Sequence, residues 1–363
     1  MRAAVCRESG SPFVVEEVDL APPETDEIVV RMGAVAICHS DVIFADGGWG
    51  GGLPAIYGHE AAGVVEAIGP GVDDLKPGDH VIVTLIRSCG RCPCCAAGLF
   101  GSCEHPFDRN SRSPLTDRQG RTIHQGLKTA AFAERSLVHR SQVVKIDFDL
   151  PFDVASLLAC GVITGFGAVA NSARMRADGD VVVIGAGGVG LNSVQAAAIL
   201  GARRIMAVDV LDAKLDAAGL FGATHAVNAR RADPLEAVRD MTGGRGADYV
   251  FVTVGAKAAI DGCYPLLAPG GTAVIVGMPE DGVTSTFDPG ALANASQRVI
   301  GSKMGAADIA ADIPKLIALY QEGRLRLDEL ITGRFAFEDI NQAMAAARAG
   351  TGLRSVLLFD QAS

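Results

Sequence analysis

The chain has 363 residues, of which 49% are hydrophobic and 44 are glycine, and its formal net charge is −10. This length exceeds what one typical hydrophobic core supports, so we expect two domains. The acidic balance and the lack of a lysine- or arginine-rich run argue against binding to nucleic acid or to an anionic membrane.

The N-terminal residues and two long apolar stretches bear on localisation. The first 30 residues carry acidic side chains and no apolar core of signal-peptide length, so no secretory signal is predicted. We interpret the apolar stretches 155–170 and 181–200 as buried elements, because the first is shorter than the ~20 residues of a membrane span and the second contains polar residues and a glycine turn. Nine cysteines without such a signal indicate a reducing, cytoplasmic compartment, where metal or reactive thiols are expected before disulfides.

Residues 1 to about 85 alternate short β patterns with glycine and proline turns. The predicted strands are 3–6, 28–36, 61–68 and 80–84, and they indicate a compact, partly open barrel. Regular pattern stops from residue 88 to about residue 125, and strand character returns over 132–146. An irregular segment of this length needs a stabilising element of its own to stay ordered.

That irregular segment contains four cysteines with the spacing C-x2-C-x2-C-x7-C, namely Cys89, Cys92, Cys95 and Cys103. Four thiolates that converge from one loop suit a closed, tetrahedral structural zinc site. The alternatives are an iron–sulfur cluster, which uses related spacings in a different framework, or a disulfide pair. Cys94 interrupts the pattern, and we assign it no role.

From about residue 162 to residue 303 the pattern becomes βαβα, which is typical of a parallel sheet. The β-branched run 181–184 is followed by a glycine turn, an apolar helix pattern, and a second strand that ends in Asp209. Gly185 permits the tight turn, Gly187 lets the backbone approach a pyrophosphate, and Gly190 allows close packing of helix and strand. The sequence therefore predicts a dinucleotide site, with a purely structural turn as the alternative.

The C-terminal part has helix patterns at 313–323 and 337–349 and a strand pattern at 355–359. We expect it to return to the first domain. The predicted organisation is a catalytic domain of residues 1–161 and 304–363, which includes a lobe at 88–104, and a nucleotide-binding domain of residues 162–303 inserted in it.

A second group of metal-binding residue types lies outside the lobe. The segments Cys38-His39-Ser40-Asp41 and Gly58-His59-Glu60 stand at the ends of predicted strands, and Cys160 precedes the nucleotide domain. Taken singly, each has an ordinary structural explanation, since a cysteine in an apolar run is usually a packed core residue. From the residues alone, a shared metal site and ordinary structural roles are both open hypotheses.

Five sequence blocks occur in a characteristic order: C-H-S-D, G-H-E-A-A-G-V-V, the four-cysteine lobe, A-C-G-V-x-T-G and G-A-G-G-V-G. Over essentially the whole chain they resemble the zinc-dependent medium-chain alcohol dehydrogenases, in the branch of the liver-type and glutathione-dependent formaldehyde dehydrogenases. The resemblance implies an α/β protein in which a GroES-like, partly open β-barrel domain accompanies a Rossmann domain with a doubly wound parallel sheet. It also implies two zinc ions per chain. The catalytic zinc would be held by Cys38, His59 and Cys160, with a fourth position open for substrate.

The resemblance also implies roles for individual residues. Ser40 would take the alcohol proton, Asp41 would orient His59, and Glu60 would act behind the zinc as a transient ligand. His39 and Arg354 would reach the pyrophosphate, Thr164 and Val189 would line the nicotinamide, and Lys214 would join Asp209 on the ribose. The complete cofactor-binding set is His39, Thr164, Gly185, Gly187, Gly188, Val189, Gly190, Asp209, Lys214 and Arg354. The substrate channel would be lined by Trp49, Leu85, Phe132 and Met278.

The predicted reaction is reversible hydride transfer between NAD and a primary or aromatic alcohol or its aldehyde. Asp209 would repel a 2′-phosphate, and residues 210–212 contain no arginine to receive one, so NAD is favoured over NADP. Ile43 stands where liver-type relatives have a proton-transferring histidine. We therefore predict that the proton leaves through ribose hydroxyls and water, or by way of His39.

Alternative functions remain at this stage. Phe107 stands where the formaldehyde dehydrogenase class has an arginine, although Arg109 and Arg112 are close, so a glutathione- or mycothiol-adduct dehydrogenase stays open. A polyol dehydrogenase is a further alternative, against which the intact lobe argues mildly. A non-enzymatic dinucleotide-binding protein is disfavoured because the metal triad is present. We assign no role to Lys303. A homodimer joined through the strand region 291–300 is expected, with a tetramer as the alternative.

Overall fold

The computed structural model describes residues 1–146 and 149–360. The chain forms two compact units, of which the first comprises Met1–Cys160, Asp308–Ile317 and Leu327–Ser363, and the second comprises Gly161–Ala307 and Ala318–Arg326. The second unit thus includes residues 304–307 and 318–326, which the sequence assigns to the catalytic domain.

Strands and α-helices follow one another along the described residues. In chain order, the strands are β1 (Arg2–Val5), β2 (Val14–Leu20), β3 (Glu27–Ala36), β4 (Ala55–Ile56), β5 (Glu60–Ile68), β6 (His80–Val83), β7 (Leu115–Asp117), β8 (Thr122–Gln125), β9 (Arg135–His139), β10 (Val143–Lys145), β11 (Asp180–Ile184), β12 (Arg204–Asp209), β13 (His225–Asn228), β14 (Ala247–Val252), β15 (Leu267–Ile275), β16 (Arg298–Gly301), β17 (Ile331–Ala336) and β18 (Arg354–Leu358). The α-helices are α1 (His39–Asp46), α2 (Pro93–Ala96), α3 (Phe152–Leu157), α4 (Ile163–Gly167), α5 (Gly188–Ile199), α6 (Asp212–Leu220), α7 (Pro234–Thr242), α8 (Lys257–Asp261), α9 (Pro289–Asn294), α10 (Ile309–Gln321) and α11 (Ile340–Ala349).

The first unit is built on two sheets. One has the strand order β1-β2-β7-β8-β4, and the other has the order β10-β6-β5-β3-β18-β17, with β9 also paired to β3. The C-terminal strand β18 lies antiparallel to β3, so the tail returns to the sheet of the N-terminal segment. This is the nearly closed barrel of a GroES-like domain, as the sequence predicts.

The core of this unit fixes the turn that precedes β5. Phe132 is fully buried and packs edge-on against Phe13, with the ring centroids 6.1 Å apart. Gly58 has a φ of +89°, and a Cβ atom on it would lie 2.6 Å from the ring of Phe132. Because only glycine fits this position without strain, the core sets the direction in which His59 leaves the turn.

The second unit contains a six-stranded parallel sheet of order β13-β12-β11-β14-β15-β16. Its central strand β11 begins at Asp180, whose side chain is 1% exposed and forms ion pairs with Arg203 and Arg204 at 2.5 and 2.6 Å. The carboxyl ends of β11, β12 and β14 lie side by side, because these strands are parallel neighbours. This is the Rossmann-type sheet that the sequence predicts.

One helical segment, Phe152–Ser172, is long and apolar enough to cross a membrane, and 83% of its apolar window is buried inside the protein. Its first part, α3, packs on β3 and β5. A Cβ atom on Gly33 of β3 would lie 2.2 Å from the ring of Phe152, so glycine makes room for this helix. The segment is therefore a core element, in line with the interpretation of residues 155–170 from the sequence.

Candidate active site

The ends of neighbouring elements in the first unit bring four ligating side chains together. Ala36 of β3 lies opposite Glu60 of β5 in the antiparallel register, so Cys38 and His59 leave the sheet at the same edge. Cys160 is the last residue of the first segment of this unit, Met1–Cys160. One ligand atom from each of Cys38, His59, Glu60 and Cys160 lies within 4.8 Å of the others, and all four residues are buried.

Asp41 holds the histidine of this cluster. Its carboxylate is fully buried, and Oδ1 lies 3.1 Å from His59 Nδ1. The same carboxylate accepts the backbone N–H groups of Cys38 at 2.9 Å and Gly58 at 3.0 Å. With Nδ1 bound in this way, His59 Nε2 is buried without a hydrogen-bond partner. A buried, unpartnered imidazole nitrogen among two thiols and a carboxylate fits a metal ion, since burial of such groups is otherwise unfavourable.

The contacts within the cluster affect the two thiols in opposite directions, and only Cys38 is favoured as a thiolate. A hydrogen bond from Cys160 lowers the pKa of the Cys38 thiol well below its ordinary value, against the effect of burial. The same contact, together with burial, raises the pKa of Cys160. Burial opposes protonation of His59, but the carboxylate of Asp41 raises the pKa of this imidazole. The donor set of two sulfurs and an imidazole nitrogen is the kind that zinc prefers.

Behind the ligands, Glu60 forms a buried ion pair with Arg354. The guanidinium donates to Glu60 Oε2 at 2.5 Å, and Glu60 Oε1 and Arg354 Nε are buried without partners. Burial raises the pKa of Glu60 to about 7, although the charge of Arg354 opposes this. The sequence assigned Arg354 to a pyrophosphate, and the structure instead places its guanidinium against Glu60. Sequence reasoning missed this pair. The available signal was an arginine directly before the predicted strand 355–359, because an arginine that becomes buried needs an acidic partner.

The four-cysteine lobe forms the second cluster. The Sγ atoms of Cys89, Cys92, Cys95 and Cys103 lie within 4.8 Å of one another. Backbone N–H groups point at these sulfurs: Cys103 Sγ accepts from Cys89 at 3.3 Å, and Cys89 Sγ accepts from Cys92 at 3.4 Å. Bonds from the backbone of Glu104 and Cys95 lower the pKa of Cys92 to about 6. Such bonds stabilise thiolates, so the lobe fits a closed tetrahedral metal site. Cys94 lies outside this cluster.

The glycine turn of the second unit fits a phosphate group. Gly185 has a φ of +97°, and a Cβ atom on Gly190 would lie 1.7 Å from the Gly185 carbonyl oxygen. A Cβ atom on Gly187 would meet no atom within 4 Å, so this position opens onto free space. Helix α5 starts at Gly188, so its first N–H groups and the positive end of its dipole would favour an anion bound at this point.

Asp209 ends β12 beside this turn. Its carboxylate accepts the N–H of Ala186 at 2.7 Å, of Val210 at 2.7 Å and of Leu211 at 3.0 Å. Lys214 is half-buried on α6, which follows directly. Thr253 directly follows β14, the neighbour of β11, and its hydroxyl lies 2.8 Å from the Gly185 carbonyl oxygen. The sequence analysis did not identify Thr253, because its role depends on which strands are neighbours.

The remaining predicted residues are spread over both units. In the first unit Ser40 Oγ lies 3.7 Å from Cys38 Sγ, and His39 is exposed. Trp49 packs edge-on against Phe44 at 5.2 Å, and Leu85 is half-buried. Phe132 was expected to line the substrate channel, but it lies in the hydrophobic core with no exposed surface. In the second unit Thr164 is buried, Val189 is half-buried and Met278 is 57% exposed.

Comparison with known proteins agrees with this architecture. Residues 24–148 match the alcohol dehydrogenase GroES-like domain family, and residues 188–322 match the zinc-binding dehydrogenase family. Alcohol dehydrogenase B of Mycobacterium tuberculosis is 35% identical, with 99% of this chain and 98% of the relative covered. The NDMA-dependent alcohol dehydrogenase of Amycolatopsis methanolica is also 35% identical, with 99% of each chain covered.

Solved structures give the same picture. An alcohol dehydrogenase zinc-binding domain protein from Burkholderia ambifaria has a TM-score of 0.94 and 36% identity, with 99% of each chain covered. Benzyl alcohol dehydrogenase from Acinetobacter calcoaceticus has a TM-score of 0.92 and 32% identity, again over 99% of each chain. The fold and the two cysteine-containing clusters define the class of GroES-like and Rossmann medium-chain dehydrogenases. Within that class, the chain belongs to the zinc-dependent alcohol dehydrogenase family, and its activity is that of an alcohol dehydrogenase.

Proposed function

We propose that this alcohol dehydrogenase binds two zinc ions per chain and transfers hydride reversibly between NAD and a primary or aromatic alcohol. The observation that carries the proposal is the buried cluster of Cys38, His59 and Cys160, in which His59 Nε2 has no partner. These three residues would hold the catalytic zinc, and the four lobe cysteines would hold the structural zinc. When bound, zinc supplies a Lewis acid at the alcohol oxygen, and the nicotinamide supplies the hydride acceptor.

The protein's own groups would orient the reactants and move the proton. Asp41 fixes His59 through Nδ1 and so keeps Nε2 directed into the cluster. Ser40, next to Cys38 Sγ, offers the hydroxyl that accepts the alcohol proton. Ile43 cannot titrate, so the exposed His39 at the start of α1 is the proposed exit toward solvent. Glu60 remains the candidate for a transient ligand, and Arg354 holds it from behind.

The dinucleotide would bind at the carboxyl edge of the second unit's sheet. The pyrophosphate would lie on Gly187 and Gly188 at the start of α5, where the structure leaves space. Asp209 and Lys214 would bind the adenosine ribose, and the charge of Asp209 favours NAD over NADP. Thr164 and Val189 are proposed to contact the nicotinamide.

A primary or aromatic alcohol is the favoured substrate. Trp49 and Phe44 form an aromatic pair close in sequence to Cys38, and benzyl alcohol dehydrogenase is one of the similar structures. Trp49, Leu85 and Met278 are kept as the proposed channel residues. The fully buried Phe132 is not.

The structure weighs against a thiol-adduct formaldehyde dehydrogenase. Arg109 is 8% exposed and donates two hydrogen bonds to Glu27 at 2.6 and 2.8 Å. Arg112 donates to both carboxylate oxygens of Glu24, at 2.8 and 2.6 Å. These ion pairs compete with the carboxylate of a glutathione or mycothiol adduct for both arginines, more strongly at the buried Arg109 than at Arg112, which is 59% exposed.

A dehydrogenase that depends on an added acceptor is the second candidate. The observation in its favour is the 35% identity to an NDMA-dependent alcohol dehydrogenase over nearly the whole chain. The two candidates differ in what turnover requires: the first would need only free NAD, and the second would need NDMA.

One substrate screen tests these proposals. NADH formation is measured with short, long, aromatic and polyol alcohols, and with formaldehyde in the presence and absence of glutathione or mycothiol. The same panel is then repeated with NDMA and no added NAD. We expect the highest kcat/KM with benzyl-type or other primary alcohols and free NAD. Turnover only with NDMA would favour the second candidate, and turnover only with a thiol adduct or a polyol would refute the proposed substrate class.

We also propose a cytoplasmic homodimer. Among the described residues, β16 is one of the two edge strands of its sheet and is largely exposed, with Val299 37% exposed. The structure begins this strand at Arg298 and forms helix α9 before it, whereas the sequence predicted one strand region over 291–300. An open edge of this kind can pair with the same strand of a second copy. Light scattering on the purified protein should give twice the chain mass, and a monomer would contradict the proposal.

A further inference from the structure

The peptide group between Gly185 and Ala186 stands at the centre of the glycine turn. Gly185 adopts a φ of +97°, a conformation that glycine reaches without steric cost because it has no Cβ atom, so its own side chain does not fix the orientation of this peptide group. The group lies between the end of β11 and the first N–H groups of α5. Its orientation therefore decides whether N–H or C=O groups face an incoming phosphate.

Two side chains from different strands bond to this single peptide group. On one side, Asp209 Oδ2 accepts the Ala186 N–H at 2.7 Å. On the other side, the Thr253 hydroxyl lies 2.8 Å from the Gly185 carbonyl oxygen. The hydroxyl also lies 3.0 Å from the Ile184 carbonyl oxygen, but that oxygen already accepts the Thr253 backbone N–H at 2.9 Å. The hydroxyl has a single proton, and we assign it to the Gly185 carbonyl because that contact is the shorter of the two.

Neighbouring atoms pack tightly around Gly185. A Cβ atom on Gly185 would lie 2.5 Å from Val254 and 2.9 Å from the Thr253 hydroxyl oxygen. A Cβ atom on Gly190 would lie 1.7 Å from the Gly185 carbonyl oxygen, so that carbonyl occupies the space that Gly190 leaves open. Gly185 is buried, and its carbonyl would lose its hydrogen bond if the hydroxyl were removed.

We propose that Thr253 is a positioning residue for the dinucleotide: together with Asp209 it locks the Gly185–Ala186 peptide group, so that the loop presents N–H groups to the pyrophosphate. Asp209 then has two roles, one on the loop and one on the adenosine ribose. The preorganisation lowers the cost of ordering the loop when the cofactor binds. This inference rests on the proposed use of a dinucleotide.

The test compares Thr253→Val, which removes the hydroxyl at nearly constant shape, with Thr253→Ser, which keeps it. The matched control is Thr242→Val, because the Thr242 hydroxyl also donates to a carbonyl, that of Val238 at 2.7 Å, on the remote helix α7. Calorimetry gives the Kd of ADP-ribose, which carries the pyrophosphate. Kinetics give KM for NAD and kcat, and thermal unfolding reports stability.

For Thr253→Val we expect the Kd of ADP-ribose and the KM for NAD to rise about 10-fold, with kcat at saturating NAD nearly unchanged. Thr253→Ser should restore the parent Kd to within about 2-fold, and Thr242→Val should lower the unfolding temperature without changing the Kd. An unchanged Kd in Thr253→Val, an equal loss in Thr253→Ser, or an equal loss in Thr242→Val would overturn the inference. Failure of the parent protein to bind ADP-ribose would instead overturn the proposed dinucleotide function.

Discussion

Replacing Asp41 with asparagine isolates the group that orients His59, the histidine proposed to bind zinc. The parent carboxylate is fully buried and accepts three hydrogen bonds, from Cys38 N–H at 2.9 Å, Gly58 N–H at 3.0 Å and His59 Nδ1 at 3.1 Å. An asparagine can keep the two bonds on Oδ1, but its NH2 group then faces the N–H of Cys38, donor to donor. It also removes the negative charge that supports His59.

Loss of such a partner behind a ligating histidine typically lowers metal affinity about 10- to 100-fold, which corresponds to about 1.4–2.7 kcal/mol. We therefore expect Asp41→Asn to weaken the proposed catalytic zinc site by this factor and to leave the proposed lobe zinc in place. Competition with a chromogenic zinc chelator measures both sites on one sample. The free energy of unfolding of the metal-free protein should fall by only about 1–3 kcal/mol.

The matched control is Asp117→Asn. Asp117 is 5% exposed, and its Oδ1 accepts two backbone N–H groups, of Gln119 and Arg121, while Oδ2 accepts from a side chain. It is not among the residues of either candidate metal cluster. The control should therefore lose stability but no zinc affinity. Parent-like affinity in Asp41→Asn, or an equal loss of affinity in both variants, would refute the reasoning.

Three further changes probe other parts of the molecule. Burial would raise the pKa of Asp180, but two arginines hold it at about 2, below its ordinary 3.8. The ionised form of Asp180 therefore stabilises the fold above about pH 4, and this contribution is lost as the pH falls towards 2. In urea unfolding, Asp180→Asn should thus cost about 2 kcal/mol at pH 7 and less at pH 3, and an equal cost at both pH values would contradict the ion pairs. Cys103→Ser should remove the lobe zinc and lower the unfolding temperature, whereas Cys94→Ser should keep both zinc ions; equal behaviour of the two would exclude the predicted ligand set. The parent should have a higher kcat/KM with NAD than with NADP. Asp209→Gly should lose most of its NAD activity because three backbone N–H groups lose their acceptor. A parent that prefers NADP would show the cofactor assignment to be wrong.

The architecture could be predicted from the sequence because its signals are local. The run 181–184, the glycine turn and Asp209 lie within one βαβ unit, and the structure forms that unit as β11, α5 and β12. The four lobe cysteines fall within fifteen residues, and their sulfurs converge. In both cases the spacing along the chain already determines the spacing in space.

The contacts that sequence reasoning missed join distant segments. Arg354 meets Glu60 across 294 residues, and Thr253 meets Gly185 across 68 residues. Each depends on which strands become neighbours, which a periodic pattern does not specify. The resemblance implied a channel position for Phe132. An aromatic residue in a predicted strand fits a channel wall or a core equally well, and the structure packs it against Phe13 and Gly58.

Zinc content per chain is the most decisive measurement for the proposed catalytic site. We expect two zinc ions in the parent protein and one in Cys160→Ser, with the alcohol-dependent formation of NADH lost together with the missing ion. Two ions in both proteins, one ion in the parent, or undiminished NADH formation by Cys160→Ser would contradict the assignment of Cys38, His59 and Cys160 as the catalytic zinc site.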